Sequence, residues 1–333
     1  MLTFFENHWL LLSFLAPMFW ALVNMIDVYF VDGIYKDEMD GTIIAGFFQL
    51  IPLIILCFFV DFNLLGKNYV NSRGGSFFDL TLLQSFLGGI FFLSAFYFYF
   101  KTLFNHNDVS LLQILWNLTI VFVPVLAFLF FGETLPIYKY ASILVVLVGA
   151  TMLSFDMKTR KRISVKYFWT MMGAVLFLSL SMLVEERAYE ALDLSYGSQG
   201  FLLGFFFFGL GAFVTGLLFA IYAKRNPLPL IKKYYKIFLL SEGIYFLGNF
   251  ASQRALDVAP SVSYVAVAET FGPIFILIYS FVILFISSYI IKKNNKIVKR
   301  IYAEQLSGVG IKIIAILIMA IGVYIMANID IYK

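Results

Sequence analysis

The sequence predicts an all-α, polytopic membrane protein with about ten transmembrane helices. Three observations support this fold class: the composition, the spacing of apolar segments and an internal repeat. Of the 333 residues, 62% are hydrophobic and only 13% are charged, whereas soluble domains carry about 25% charged residues. So few charges cannot cover a water-facing surface, which excludes a soluble enzyme, a disordered scaffold and a secreted disulfide domain.

Apolar segments long enough to cross a bilayer, about 20 residues each, recur along the whole chain. The predicted spans are 9–31, 42–60, 80–101, 109–131, 137–155, 167–186, 200–223, 237–254, 261–286 and 305–327. A membrane barrel needs segments of about ten residues that alternate polar and apolar, and 201–222 has no polar alternate face. The first span lacks a basic leader and a small-residue cleavage site, so we interpret it as a helix and not as a cleaved signal.

The two halves of the chain resemble each other in order. The matches are Gly46-Phe47-Phe48 with Gly204-Phe205-Phe206, Asp108-Val109 with Asp257-Val258, Pro124 with Pro273, and Val148-Gly149-Ala150 with Ile321-Gly322-Val323. They favour two five-helix repeats, 1–157 and 158–333. Because five is odd, equivalent helices run in opposite directions, which is the inverted-repeat arrangement of many transporters. The alternative is that apolar helices match by composition alone.

A longer motif runs from Pro124 to Leu135 and includes Gly132-Glu133; it is followed by Val148-Gly149-Ala150. It resembles the proline-started fourth helix, the Gly-Glu turn and the glycine-bearing fifth helix of EamA-type members of the drug/metabolite transporter superfamily. The second copy, from Pro273 to Gly322, lacks Gly-Glu directly after its helix. The resemblance implies ten helices in five-plus-five order and transport of small metabolites, often outward.

Glu269 lies near the middle of the ninth predicted span, where a charged group costs about 2.5–3.5 kcal/mol. Gly272 and Pro273 follow and are expected to open the helix, exposing backbone carbonyls to a cavity. One interpretation is that Glu269 takes up and releases a proton during transport. The other is a structural pair with Arg254 or Lys312.

The eighth span carries a polar stripe of Glu242, Tyr245, Asn249 and Gln253, which share one helix face, and Arg254 follows at its end. Lipid does not tolerate such a face, so we expect it to line an internal cavity. The alternative is hydrogen-bonded helix packing, worth about 0.6 kcal/mol per bond.

Further candidates for substrate binding lie on four other spans. They are Asn24, next to Trp20 and Asp27 on one face of the first span; Tyr97 and Lys101 on the third; Gln113, Trp116 and Asn117 on the fourth; and Tyr264 on the ninth. Asp27 and Glu185 sit near span ends, where solvated caps are an alternative. An inward Lys101 or Arg254 would suit an anionic group, unless both reach out to lipid headgroups. Glu133 is expected to be structural, near the start of the fifth helix.

These features favour a secondary transporter that moves a small polar or amphiphilic metabolite by alternating access, with proton coupling left open. The alternatives are a flippase for a lipid or lipid-linked sugar, and a membrane enzyme or interaction protein. No catalytic constellation is present, and one cysteine and two histidines give neither a disulfide nor a metal cluster. We therefore expect no enzyme activity, cofactor or nucleic-acid partner. The expected partners are the lipid bilayer and a small-molecule substrate, with a homodimer left open.

Basic residues cluster at 158–166, 224–236 and 292–300. With ten spans these segments lie on one side, which the positive-inside rule makes cytoplasmic, with both termini outside. The resembled family has both termini inside, so two orientations stay open. The expected location is the cell (inner) membrane of a bacterium, as a multi-pass integral protein.

Overall fold

The computed structural model describes residues 8–65, 80–105, 112, 115–154, 165–286 and 309–328. In these ranges all regular structure is helical, which confirms the all-α prediction. The helices are α1 Trp9–Gly33, α2 Glu38–Phe48, α3 Leu50–Leu56, α4 Leu80–Asn105, α5 Thr119–Phe131, α6 Ile137–Ser154, α7 Val165–Tyr196, α8 Gly200–Tyr222, α9 Leu228–Val258, α10 Val262–Glu269, α11 Gly272–Phe285 and α12 Val309–Asn328.

Six helical stretches among the described residues are long and apolar enough to cross a membrane. One of them, Lys166–Tyr222, holds both α7 and α8, because a 3₁₀ turn at Gly197–Gln199 with a positive φ at Gly197 separates the two helices. At 1.5 Å per residue its 57 residues far exceed a bilayer core of about 30 Å. The number of ten spans stays a prediction.

Two of the predicted spans are interrupted. The second is divided between α2 and α3 at Gln49, an interruption that the sequence analysis did not predict. The ninth is divided between α10 and α11 at residues 270–271. Pro273 occupies the first turn of α11, where its missing N–H is harmless, so the opening lies next to the Gly272-Pro273 pair that predicted it.

The eighth predicted span is longer than expected. Helix α9 begins at Leu228 and is kinked at Tyr234, whose backbone is not helical. Most of the basic segment 224–236 is therefore helix and not loop. The basic residues at 158–164 and 292–300 lie outside the described residues.

Four helix pairs form the frame of the bundle: α4 with α7, α6 with α12, α4 with α8, and α1 with α9. At the α6–α12 crossing, a Cβ on Gly149 would lie 2.6 Å from the Met319 side chain, and one on Gly322 would meet Val146. Glycine at these two positions is what lets the helices approach so closely.

Large apolar side chains cover the outside of the bundle. On α12 the outward side chains Ile313, Ile314, Leu317 and Ile321 are each more than half exposed. A soluble monomer rarely exposes apolar surface on this scale, so the surface is compatible with an integral membrane protein.

Candidate functional site

A cavity lies at the centre of the bundle, between α1, α4, α7, α9 and the broken α10–α11 span. It leaves about 70 Å³ for the centres of water-sized groups, enough for several waters or a small ligand. Its lining is Pro17, Trp20, Ala21, Val23, Asn24, Asp27, Phe92, Phe96, Tyr99, Trp116, Asn117, Thr119, Leu178, Tyr245, Ala266, Glu269, Thr270 and Gly272.

Asp27 contributes one of the two carboxyls in the lining, and only 5% of the residue is exposed. The Tyr99 hydroxyl of α4 lies 3.2 Å from Asp27 Oδ2 and 3.2 Å from Asn24 Oδ1. A hydroxyl has one proton, so Tyr99 donates to one acceptor at a time. The arrangement leaves Asp27 able to accept further hydrogen bonds or a positive charge from the cavity.

Glu269 contributes the other carboxyl, as the last residue of α10 directly before the helix break. Its Oε1 atom is buried and has no hydrogen-bond partner among the described residues. The side chain of Ser252 on α9 hydrogen-bonds the carboxyl. Glu269 thus lies at a break in the helix, with an oxygen that is available to a ligand.

Six aromatic rings form much of the wall: Trp20, Phe92, Phe96, Tyr99, Trp116 and Tyr245. They also pack on each other across helices. The ring centroids of Phe96 and Tyr245 lie 5.6 Å apart, as do those of Tyr99 and Trp116. Mutual packing holds the rings in fixed positions around the cavity.

Two lining residues carry buried polar atoms that lack a partner. Asn117 Nδ2 and the Tyr245 hydroxyl have no hydrogen-bond partner among the described residues, and the residues are 3% and 5% exposed. Orphaned buried polar groups are rare because each costs about 1–3 kcal/mol. Both residues line the cavity, so a bound polar ligand is a natural partner for them.

The cavity brings together five of the predicted site residues: Asn24, Trp116, Asn117, Tyr245 and Glu269. Gln113 lies outside the described residues. The expectation that the whole α9 stripe lines the cavity needs correction, because Tyr245 alone of that stripe does so. Glu242 lies within electrostatic range of Asp27, and Asn249 is buried away from the lining.

At the end of α9 the predicted residues bind other protein groups. Gln253 accepts a hydrogen bond of 2.8 Å from the Tyr189 hydroxyl. Arg254 pairs with Asp257 on its own helix and lies over the Phe201 ring at 5.0 Å. Neither lines the cavity, because the polar stripe continues beyond the cavity's height.

The remaining three predicted residues also lie elsewhere. Lys101 donates to the Tyr97 hydroxyl at 3.2 Å, and the Tyr97 ring stacks on Phe219. Tyr264 packs against Trp9, with the Lys139 ammonium 4.2 Å from its ring centre. Tyr97 and Tyr264 pack against neighbouring helices and Lys101 contacts Tyr97 on its own helix, and none of the three is in the cavity lining.

The aromatic wall on α4 and the role of Tyr99 were not predicted from the sequence. Phe92, Phe96 and Tyr99 follow at helical spacing and share a face. In a span that is apolar on every side, such a stripe does not stand out. Tyr97 was chosen instead, and it points about half a turn away from Tyr99.

One end of the bundle, the Trp9 end, is closed by a polar network that links α7, α10 and the turn after α5. Glu133 pairs with Arg187 at 3.2 Å and accepts a hydrogen bond of 2.8 Å from the Ser261 hydroxyl. The Val262 N–H donates to Glu186 Oε1 at 2.5 Å. Glu133 is thus a tether between helices, which agrees with a structural role.

The other end of the bundle, the Gly33 end, is closed by an aromatic cluster of Phe30, Tyr35, Phe100 and Phe238. The ring centroids of Phe30 and Phe238 lie 5.0 Å apart, and those of Tyr35 and Phe100 lie 5.8 Å apart. Asp27 precedes Phe30 by one helical turn, so this cluster forms the floor next to the cavity.

No family model matches the chain, and no curated protein matches it. A solved crystal structure of a protein is similar to it, with a TM-score of 0.58 and 14% identity, over 97% of this chain and 99% of that chain. At this identity the similarity supports the fold alone. The described residues contain no group of three or more His, Cys, Asp or Glu side chains that could hold a metal ion.

Proposed function

We propose that this protein is a secondary transporter of the drug/metabolite transporter type, which moves a small amphiphilic substrate by alternating access. The observation that carries the proposal is the central cavity, with Asp27 and Glu269 in its lining and a helix break beside Glu269. Carboxyls inside apolar helices are expensive, and in membrane proteins they mark substrate and proton pathways.

The contacts of α6 and α12 support an inverted repeat. Gly149 lies against Ala315 and Met319, and Gly322 lies against Ser142 and Val146. Gly149 corresponds to Gly322, Ser142 to Ala315 and Val146 to Met319. The two members of each correspondence are separated by the same number of positions in the sequence. The pairing of α4 with α7 has a similar counterpart in α9 with α1. Exchanging the two halves thus reproduces these contacts, as expected for antiparallel repeats.

The two ends of the bundle provide the gates that alternating access requires. Opening the Trp9 end means parting Glu133 from Arg187 and Ser261, which costs polar contacts. Opening the Gly33 end means separating the aromatic rings around Phe238. In this conformation both sets of contacts are made.

Proton coupling is part of the proposal, with Glu269 as the principal acceptor. The titratable groups that line the same cavity are Asp27, Tyr99 and Tyr245, and Glu242 lies within electrostatic range of Asp27. The charged substrate and the proton then compete for the same acidic groups in the cavity. A transporter of this kind moves protons one way as substrate moves the other.

The purified protein is screened by thermal shift against amino acids, nucleotides, sugars, amines and lipid headgroups, because a ligand stabilises the state that it binds. The stabilising compound is then tested for flux in proteoliposomes containing a pH-sensitive dye. We expect flux accompanied by proton movement, both lost in Glu269→Gln. Asp61→Asn, at an exposed acid after α3, is the control and is expected to keep both. Absence of flux for every stabilising compound contradicts the proposal.

A flippase needs a groove that opens sideways to lipid. Asp27, Asn117 and Tyr245 in the cavity lining are at most 5% exposed, while Trp20, Asn24 and Trp116 are partly exposed. The polar lining residues lie at the buried part of the cavity, which favours a small molecule over a lipid as the substrate that we propose.

A further inference from the structure

The charge and the chemistry of the cavity lining restrict what it can hold. None of the described lining residues is Lys, Arg or His, while Asp27 and Glu269 are acids. Basic side chains that could have reached inward are engaged elsewhere: Arg254 with Asp257, and Lys101 with Tyr97. An anionic substrate would meet two acids without a compensating cation, so the expectation of an anion held by Lys101 or Arg254 is not supported by these positions.

The aromatic walls distinguish an organic cation from a metal ion. Six rings face the cavity, including the indoles of Trp20 and Trp116. Cations with an apolar surface bind over such ring faces, and indole is the best of them. Hard metal ions instead need about six oxygen ligands, and the described residues offer no cluster of three metal-binding side chains.

The orphaned polar atoms point to a ligand in the same cavity. Asn117 Nδ2 and the Tyr245 hydroxyl are buried, line the cavity and have no partner among the described residues. A hydroxyl or other small polar substituent on the ligand would satisfy them.

We propose that the cavity binds a small organic monocation, a quaternary or protonated amine with a compact apolar body, held between Asp27, Glu269 and the indole rings. The inference rests on the proposed function, because it names the substrate class of the same site.

The test uses the purified full chain and compounds of one shape. Choline is compared with 3,3-dimethylbutan-1-ol, its neutral carbon analogue, and with the anion 3,3-dimethylbutanoate. Tetraethylammonium and benzyltrimethylammonium extend the range of cation size. Binding is measured by thermal shift and by tryptophan fluorescence, since two of the four tryptophans line the cavity.

We expect at least one cation to bind at least about tenfold more tightly than the neutral and anionic analogues. Glu269→Gln and Trp116→Phe are expected to weaken that binding by about tenfold and severalfold respectively. The controls Asp61→Asn and Trp169→Phe, at exposed positions, should bind as the wild type does. Melting without ligand verifies that each variant is folded.

Equal binding of the neutral analogue, or binding by none of the three cations, overturns the inference. A cation that binds through Glu269 but shows no flux in proteoliposomes supports the inference and removes the transport function. Flux of another class of substrate, with no cation bound, supports the transport function and overturns the inference of a cation site. The two failures are therefore distinguishable.

Discussion

Trp20 shows how a single small residue shapes the cavity. Its indole nitrogen is buried without a hydrogen-bond partner among the described residues, and the indole lies against Gly248 of α9. A Cβ at position 248 would be 2.8 Å from Trp20 Cδ1 and Nε1, which is closer than real side chains approach. Gly248 therefore fixes the position of the ring that forms one wall of the proposed cation site.

Gly248→Ala is expected to displace the Trp20 ring and to weaken ligand binding. Overpacking at a buried site costs about 1–3 kcal/mol, so the melting temperature should fall and the tryptophan emission should shift. Fluorescence and thermal melting measure both. Gly243→Ala, on the same helix with nothing within 4 Å of the added carbon, should leave both unchanged. Equal effects of the two substitutions would show that Gly248 has no special role.

The sequence predicted which side chains are unusual, but not which of them meet. Tyr245 and Asn249 share a face of α9, yet only Tyr245 reaches the cavity. Periodicity gives the angular position of a residue around its helix, while the height and the tilt of neighbouring helices decide what that face contacts. The pairing of Tyr99 with Asp27, across two distant segments, depends on tertiary packing alone.

At the scale of elements, the helical character of the described ranges was predictable, and the interruptions have local causes in the sequence. The break before α11 has a signal in Gly272 and Pro273, which are poor helix-interior residues. The break at Gln49 has a comparable signal in Pro52 of α3, which has no N–H and whose ring crowds the carbonyl of Phe48, the last residue of α2. Pro52 lies three residues after the break, so it does not mark the break as directly as Gly272 and Pro273 do.

An ion pair joins two elements at the Gly33 end. Arg225, after α8, contacts Asp37 at 2.5 Å and Asp40 at 2.8 Å at the start of α2. Burial raises the pKa of Asp37, but the hydrogen bonds and the charge of Arg225 outweigh it and hold the pKa below its usual value. The ionised carboxylate therefore stabilises the junction of α2 and α8.

Asp37→Asn is expected to lower stability at neutral pH and to have little effect in acid. A carboxyl whose pKa is lower in the folded than in the unfolded protein stabilises the fold at pH values above its unfolded pKa of about 3.9. This stabilisation is lost as the pH falls through the pKa of the folded protein. The groups are partly exposed, so the loss at pH 7 is about 1 kcal/mol or less. Asparagine retains the N-cap bond that Asp37 accepts from Met39 N–H.

The measurement is thermal melting of both proteins in detergent from pH 7 down to pH 3. Asp61→Asn is the control, because Asp61 accepts only local hydrogen bonds from Asn63 among the contacts of its side chain. A difference between wild type and Asp37→Asn that persists unchanged in acid would contradict the role of the ion pair.

At the scale of the whole molecule, the reciprocal glycine contacts test the proposed repeat. Gly149→Ala and Gly322→Ala each place a carbon against the opposite helix of the α6–α12 pair. If the halves are equivalent, the two substitutions should lower the melting temperature by similar amounts, each costing about 1–3 kcal/mol. Gly310→Ala on α12, where the added carbon meets nothing within 4 Å, is the control. Strongly unequal costs would argue against equivalent halves.

The two ends of the bundle also predict its orientation. Lys36 belongs to the Gly33 end, where Arg225 meets Asp37, and Ser198 belongs to the turn between α7 and α8 at the opposite end; both are exposed. The basic segment at 224–236 follows α8 at the Gly33 end, so the positive-inside rule places that end in the cytoplasm.

The labelling of single cysteines tests this orientation. The native Cys57 is replaced by serine, and single cysteines are introduced as Lys36→Cys and Ser198→Cys. A membrane-impermeant maleimide on intact cells should label the cysteine at 198 and, only after permeabilisation, the one at 36. The opposite pattern would place the termini inside. Labelling of both in intact cells would contradict opposite ends altogether, because the α1–α2 connection and the α7–α8 turn then would not lie on two sides of one bilayer.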